Sequence, residues 1–203
     1  RQAMSDLKIR GGGTILGASQ SGHIAAVGYD MFLTLMETSI SEMKGEPALA
    51  ALDPEINIPV SAFLPESYMP DIDQRLTAYR RLARITDPES IAEFKAEMVD
   101  RFGEMPSEAV NLLMKIMLRV LAVKAGVRRL DIGDRQLVLY FSPEHQKQPL
   151  ALIELATRSP GRISFTSGDA MKAVLSGTSP VGLLTQAKNI LKEIARHVNP
   201  EAP

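Results

Sequence analysis

Apolar positions along the chain change period several times, and each change predicts a new element. From Tyr29 to Lys44, Phe32, Leu35, Met36, Ile40 and Met43 recur at steps of three and four, with Glu37 and Glu42 outside them. That spacing predicts an amphipathic helix, closed by Gly45 with Pro47 just beyond. Residues 47–55 have little period and read as a linker. Ile56, Ile58, Val60, Ala62 and Leu64 then alternate, which predicts a strand. Pro59 cannot donate to a ladder, so this strand belongs at a sheet edge. Pro65 and Pro70 bracket an extended turn.

Three helices are predicted next. Asp71 caps the first, with Gln74 three residues on and Ile72, Leu76, Tyr79, Leu82 and Ile85 as its stripe. Asp87 caps the second, Pro88 opens it and Gly103 ends it; Ile91, Phe94, Met98 and Phe102 form its buried stripe. Ser107 is expected to cap the third. There, Leu112, Leu113, Ile116, Met117, Val120, Leu121 and Val123 cover most of the circumference, as in a central buried helix that ends at Gly126.

The remainder alternates between both types. Strands are predicted over 127–132 and 136–141 with Gly133-Asp134 as the hairpin turn, and over 162–166 and 171–175. A helix is predicted over 150–157. A terminal helix over 181–198 carries Leu184, Ala187, Ile190, Leu191, Ile194 and Val198 on one side. The order predicts an α+β fold, with helices packed beside a small antiparallel sheet and a Gly-rich loop and helix ahead of it.

Composition narrows the chemistry. With 203 residues, 45% of them hydrophobic, the chain has the material for a sizeable core. A formal net charge of −1 argues against a freestanding nucleic-acid binder held by counterion release. There is no cysteine, hence no disulfide framework and no thiolate metal site. His23, His145 and His197 lack metal-ligand spacing. No apolar run reaches the ~18 residues that spanning a bilayer needs. No signal-peptide pattern opens the chain, and the start RQAMSDLKI, without an initiator Met, reads as part of a longer protein. A cytoplasmic location is expected.

The run Asp6–Ile24, DLKIRGGGTILGASQSGHI, stands apart from ordinary loop composition. Three successive glycines suit a chain that bends tightly or lies against another surface. A P-loop would need GK[ST] after the glycines, and a dinucleotide fingerprint would need glycine where Leu16 stands. Taken alone, the run is a glycine turn with Arg10 and Gln20 on the surface.

The same run resembles the segment after the last helicase motif of bacterial transcription-repair coupling factors, and more weakly that of RecG helicases. The family pattern reads roughly DLEIRGxGxxLGxxQSG, and Arg10 and Gln20 fall at its arginine and glutamine. LPESYMPD (Leu64–Asp71), RLTAYRRLA (Arg75–Ala83) and DRFGEMP (Asp100–Pro106) resemble the C-terminal domain of the same family, in its order and close to its spacing.

The resemblance implies that residues 1–46 end a translocase lobe, 47–55 form a linker and 56–203 form a regulatory domain. The family implies an ATP-dependent double-stranded DNA translocase that displaces stalled RNA polymerase and recruits nucleotide excision repair through UvrA. ATP and Mg²⁺ are expected in lobes upstream, as is the polymerase contact. No cofactor, metal or catalytic residue is expected in this chain, which lacks a Walker lysine or a metal-holding carboxylate pair. Arg10 and Gln20 are implied as the translocation motif. Glu97, Asp100 and Arg101 match polar positions through which the C-terminal domain docks on a UvrB-like N-terminal module and hides its UvrA-binding surface.

At steps of three and four these side chains occupy neighbouring parts of one helical face, and Glu97 and Arg101 are also spaced to pair with each other. Arg75, Arg80, Arg81 and Arg84 scatter around their helix and read as solvated or paired surface charges, not as a phosphate-binding stripe. The alternative function is an adaptor domain with no DNA role. A small-molecule enzyme is the third reading, for which no nucleophile–base pair or paired carboxylates are present.

Overall fold

The computed structural model describes residues 53–133, 135–142, 149–158, 162–166, 170–176 and 179–198. All of these fall in one compact unit, Leu49–Pro203. The predicted helix over 29–44, the glycine run and most of the linker lie outside the described residues.

The elements follow as β1 (Glu55–Asn57), α1 (Ile72–Arg84), α2 (Pro88–Phe102), α3 (Ser107–Lys124), β2 (Val127–Gly133), β3 (Gln136–Phe141), α4 (Pro149–Arg158), β4 (Ile163–Thr166), β5 (Ala170–Val174) and α5 (Pro180–Val198). The strands form one sheet in the order β1-β2-β3-β5-β4. Every pair is antiparallel except β1 with β2, which run parallel with Ile56 opposite Leu130. The sheet is therefore mixed, not antiparallel throughout. Three helices separate β1 from β2, and a crossover of that length permits parallel pairing.

β1 takes the expected edge position but stops at Asn57, well short of Leu64. Pro59 has no N–H to continue a ladder, and the following backbone turns to the helices instead. The Phe63 N–H donates to the Glu108 carbonyl at 3.2 Å, and the Leu64 N–H donates to the Tyr79 hydroxyl at 2.8 Å.

Helix ends follow local signals in α1 and α2. The Asp71 carboxylate accepts from the Gln74 N–H at 2.9 Å, and the Asp87 carboxylate accepts from the Ser90 N–H at 2.7 Å. Gly103 ends α2 at φ 83°, ψ −162°, a region open to glycine. α3 departs from expectation. Pro106 is its N-cap with no side-chain cap bond, and Ser107 is its first residue, donating to the Glu108 carboxylate at 3.0 Å. The hairpin turn is also displaced: Gly133 pairs with Gln136 inside the ladder, and Arg135 carries the positive φ of 59°.

α3 is central, packing on α2, α5, β1 and β2. Leu118, Leu121 and Ala122 of α3 share one core with Leu130, Ile132, Leu137, Leu139, Met171 and Ala173 of the sheet and Leu184, Ala187, Leu191 and Ile194 of α5. Leu64, Met69, Leu76, Tyr79, Leu82, Ile91, Phe94 and Met98 fill the α1–α2 region. Contrary to expectation, Val123 of α3 is 54% exposed while Arg119 on the same helix is buried.

Candidate functional site

α1 and α2 form a helical hairpin, and their outward faces meet at one carboxylate. The stripe Ile91, Phe94 and Met98 turns inward, so the positions beside it on α2 face water. Glu97 stands there, held from both sides. Its carboxylate accepts Arg81 Nη1 at 2.9 Å and Nη2 at 2.6 Å, a two-pronged pairing from α1. It also accepts Arg101 Nη1 at 3.1 Å, one turn further along α2.

Both guanidiniums rest on rings. Arg81 Cζ lies 5.1 Å from the Phe94 ring centroid, and Arg101 Cζ lies 5.1 Å from that of Phe102. Phe102 in turn meets Tyr68 at 5.8 Å, and the Tyr68 hydroxyl reaches the Met98 and Gly103 carbonyls at 3.1 and 3.0 Å. The far end of α2 is thus tied to the segment before α1.

These contacts set the electrostatics. The Arg81 hydrogen bonds, with Arg101 adding to them, hold the Glu97 carboxyl down at about 2, from an ordinary 4.5. Reciprocally, Glu97 raises the Arg81 guanidinium above its usual value. Glu97 is therefore ionised throughout the physiological range. Its side chain is still 36% exposed, and those of Arg81 and Arg101 are 46% and 48% exposed. The cluster is consequently accessible to a partner. A groove of about 290 Å³ opens beside it, lined by Met69, Asp73, Thr77, Arg81, Met98 and Phe102 among others.

Three of the five residues singled out in sequence fall here. Glu97 and Arg101 pair directly, and Asp100 is exposed next to them with no ion-pair partner among the described residues. Arg10 and Gln20 lie outside the described residues. The four arginines of α1 separate. Arg75 is no surface charge: it is 4% exposed, and its guanidinium donates to the Met69 and Pro70 carbonyls at 2.5 and 3.1 Å. Arg81 is the paired one, while Arg80 is half-buried and Arg84 exposed.

Arg81 is the member of the cluster whose role sequence reasoning missed. Its partner lies sixteen residues away on another helix, and only the hairpin brings the two together. Phe94 reads in sequence only as part of the buried α2 stripe, which gives no sign of the guanidinium that rests against it. No group of three or more His, Asp or Glu that could hold a metal occurs among the described residues. None of the described helices is long and apolar enough to cross a membrane. The chemistry on offer is recognition by charged hydrogen bonds beside an apolar-floored groove.

Comparison with known proteins bears on what is recognised. Residues 58–152 match the model of the TRCF domain. A transcription-repair-coupling factor of Myxococcus xanthus is 32% identical over 203 residues, covering 98% of this chain and 17% of that protein. One from Haemophilus influenzae is 35% identical over 163 residues, covering 78% of this chain and 14% of that protein. The chain thus spans about a sixth of the length of these relatives. A crystal structure of the C-terminal domain of transcription-repair coupling factor superposes with a TM-score of 0.65 at 19% identity, covering 74% of this chain and 96% of that one, a likeness of fold.

Proposed function

This chain belongs to the transcription-repair coupling factor family, and we propose that its α1–α2 face is a regulatory docking surface within a DNA translocase. In this reading the whole protein uses ATP and Mg²⁺, bound in lobes outside this chain, to move on double-stranded DNA. It displaces stalled RNA polymerase and recruits excision repair. Residues 1–46 contribute the end of a translocase lobe, with Arg10 and Gln20 as its translocation motif. Residues 47–55 are the linker. Residues 56–203 form the regulatory domain, whose Glu97, Asp100 and Arg101 dock on a UvrB-like module of the same protein and cover its UvrA-binding surface.

The observation that carries this reading is the exposed charged face of α2 beside an open groove, on a helix whose other face is fully committed to the core. The pairing of Glu97 divides the roles. Arg81 and Arg101 already occupy that carboxylate, so it orients the two guanidiniums toward a partner. Asp100, with no ion-pair partner among the described residues, is the carboxylate free to meet a cation.

Docking must remain reversible, so its differential binding should amount to a few kcal/mol. Charge reversal at Asp100 tests it in the full-length protein. Asp100→Arg is expected to raise basal ATP hydrolysis and UvrA binding, with the domain still folded by circular dichroism. Unchanged UvrA affinity in a folded Asp100→Arg, Arg101→Glu double variant would remove the docking role and leave only a surface ion-pair cluster.

A further inference from the structure

α3 and α5 pack on one face of the sheet, the face that carries Leu130, Leu137, Leu139, Met171 and Ala173. Side chains alternate along a strand, so Arg129, Tyr140, Lys172 and Ser164 belong to the other face. There Arg129 and Ser164 are exposed, and Tyr140 and Lys172 are half-buried.

A bulge in β2 adds a second arginine to this face. The register shifts between Val127 and Arg129, which pair with Phe141 and Tyr140, so Arg128 is the extra residue. Two successive guanidiniums then flank one ring: Arg128 Cζ lies 5.9 Å and Arg129 Cζ 5.2 Å from the Tyr140 centroid. Their other contacts differ. Arg129 is neutralised by Asp131, with Nε 3.1 Å from both carboxylate oxygens and Nη2 3.0 Å from Oδ2. Arg128 uses only its Nε, which donates to the Phe141 carbonyl at 3.3 Å. Its two Nη groups have no hydrogen-bond or ion-pair partner among the described residues. Ring and carbonyl hold this guanidinium in place, and the edge that stays free is the one that grips a phosphate two-pronged.

The surroundings of Tyr140 fit the same ligand. Its cross-strand neighbour on β5 is Ala170, a side chain too short to cover the ring. Lys172, two residues on, is its diagonal neighbour and has no ion-pair partner among the described residues. The carboxylates of this face, Glu55 and Asp131, stand at its β1 end, where the Asn57 amide donates to them at 2.8 and 2.7 Å. Unpaired positive charge is therefore gathered around Tyr140, although the chain as a whole carries −1.

We propose that this open sheet face binds single-stranded nucleic acid, with a base stacked against Tyr140 on its Ala170 side and the flanking phosphates held by Arg128 and Lys172. A single strand can splay its bases onto an aromatic ring, whereas a duplex keeps its base faces covered. An acidic peptide would answer the cations but has no planar group for the ring. Stacking and phosphate contacts do not read base identity, so binding is tolerant of sequence. The elements involved are not those of the α1–α2 face, and the inference does not rest on the docking function proposed above.

Fluorescence anisotropy tests it, with the 203-residue chain titrated at low salt into a labelled oligothymidylate of about 12 nucleotides. Tyr140→Leu is expected to weaken binding about fivefold or more, the loss of one stacked base. Arg128→Ala is expected to weaken it as well. Lys172→Ala, which leaves ring and bulge untouched, is expected to reduce the slope of log affinity against log salt by about 0.7, one phosphate contact on a single strand. Circular dichroism of each variant separates a lost site from a lost fold. No anisotropy change with the unaltered chain overturns the proposal. So does binding that Arg128→Ala and Lys172→Ala leave unaltered, and so does a duplex of the same length that binds as tightly. Displacement of the oligonucleotide by polyglutamate at matched charge also overturns it, and makes the face a site for acidic protein segments. The docking test at Asp100 involves none of these residues, so its failure leaves this proposal standing.

Discussion

Replacing Arg81 with alanine removes the strongest single support of Glu97, and the size of the loss can be worked from the contacts. The variant loses two hydrogen bonds to the carboxylate, at 2.9 and 2.6 Å, and a cation seated 5.1 Å from the Phe94 ring centroid. All three groups of the ion-pair cluster are more than a third exposed, so the pairing is worth what exposed pairs usually give, about 0.2–1 kcal/mol. The cation–ring contact adds about 0.5–1 kcal/mol. Alanine and arginine have nearly equal helix propensity, so little is returned. Arg81→Ala should therefore cost about 0.7–2 kcal/mol in urea unfolding at pH 7. Arg101→Ala, which breaks one longer bond at i, i+4 spacing, should cost about 0.3–0.5 kcal/mol by its ion pair.

The sign of the pH dependence is fixed by the direction of the shift. The folded Glu97 carboxyl titrates at about 2 against 4.5 without partners. Its contribution is present in full above the unfolded value and fades as pH falls from about 4.5 toward 2. A double-mutant cycle with Arg81→Ala and Glu97→Gln should give a coupling that is largest at pH 6–7 and smaller at pH 3. Carboxyl carbon chemical shifts of Glu97, followed by NMR, should show the depressed titration in the unaltered chain and a rise toward 4.5 in Arg81→Ala. A Glu97 that titrates near 4.5 in the unaltered chain refutes the reasoning. So does zero coupling at neutral pH.

Three further expectations concern the frame that holds this face. Arg75→Ala leaves the buried Met69 carbonyl without its donor and should cost about 1–3 kcal/mol by denaturant unfolding, more than Arg84→Ala at an exposed position. Tyr79→Phe strands the buried Leu64 N–H and should cost about 1–3 kcal/mol in the same assay. Gly103→Ala meets no steric contact, yet it must hold a side chain at φ 83°, so calorimetry should show a loss of about 1–3 kcal/mol with the fold intact.

Sequence alone determined the features that depend on a few neighbouring residues. Asp71 with Gln74, and Asp87 with Pro88, place the starts of α1 and α2 because a cap is a bond across three residues. The steps of Ile91, Phe94 and Met98 assigned the inner face of α2, and therefore left Glu97, Asp100 and Arg101 on its outer side. The edge position of the first strand was expected from Pro59, and β1 does sit at the edge, though it ends at Asn57 before the proline is reached. Motif order pointed to the family before any coordinates were needed.

Tertiary structure decided whatever depends on residues far apart in the chain. β1 pairs parallel with β2 across a gap that three helices fill, which no local period encodes. The hairpin turn moved to Arg135 because the β2–β3 register placed Gly133 opposite Gln136, and register is set by which apolar residues reach the core. The arginines of α1 look alike in sequence, yet Arg75 points into the carbonyls before the helix and Arg81 points at a carboxylate sixteen residues on. Arg119 sits among apolar residues of a buried helix, where carbonyls at the packed end of α1 help make its burial tolerable. A charged side chain has little intrinsic preference among such fates, because its free energy depends on the groups that meet it, and those groups arrive only when the chain has folded.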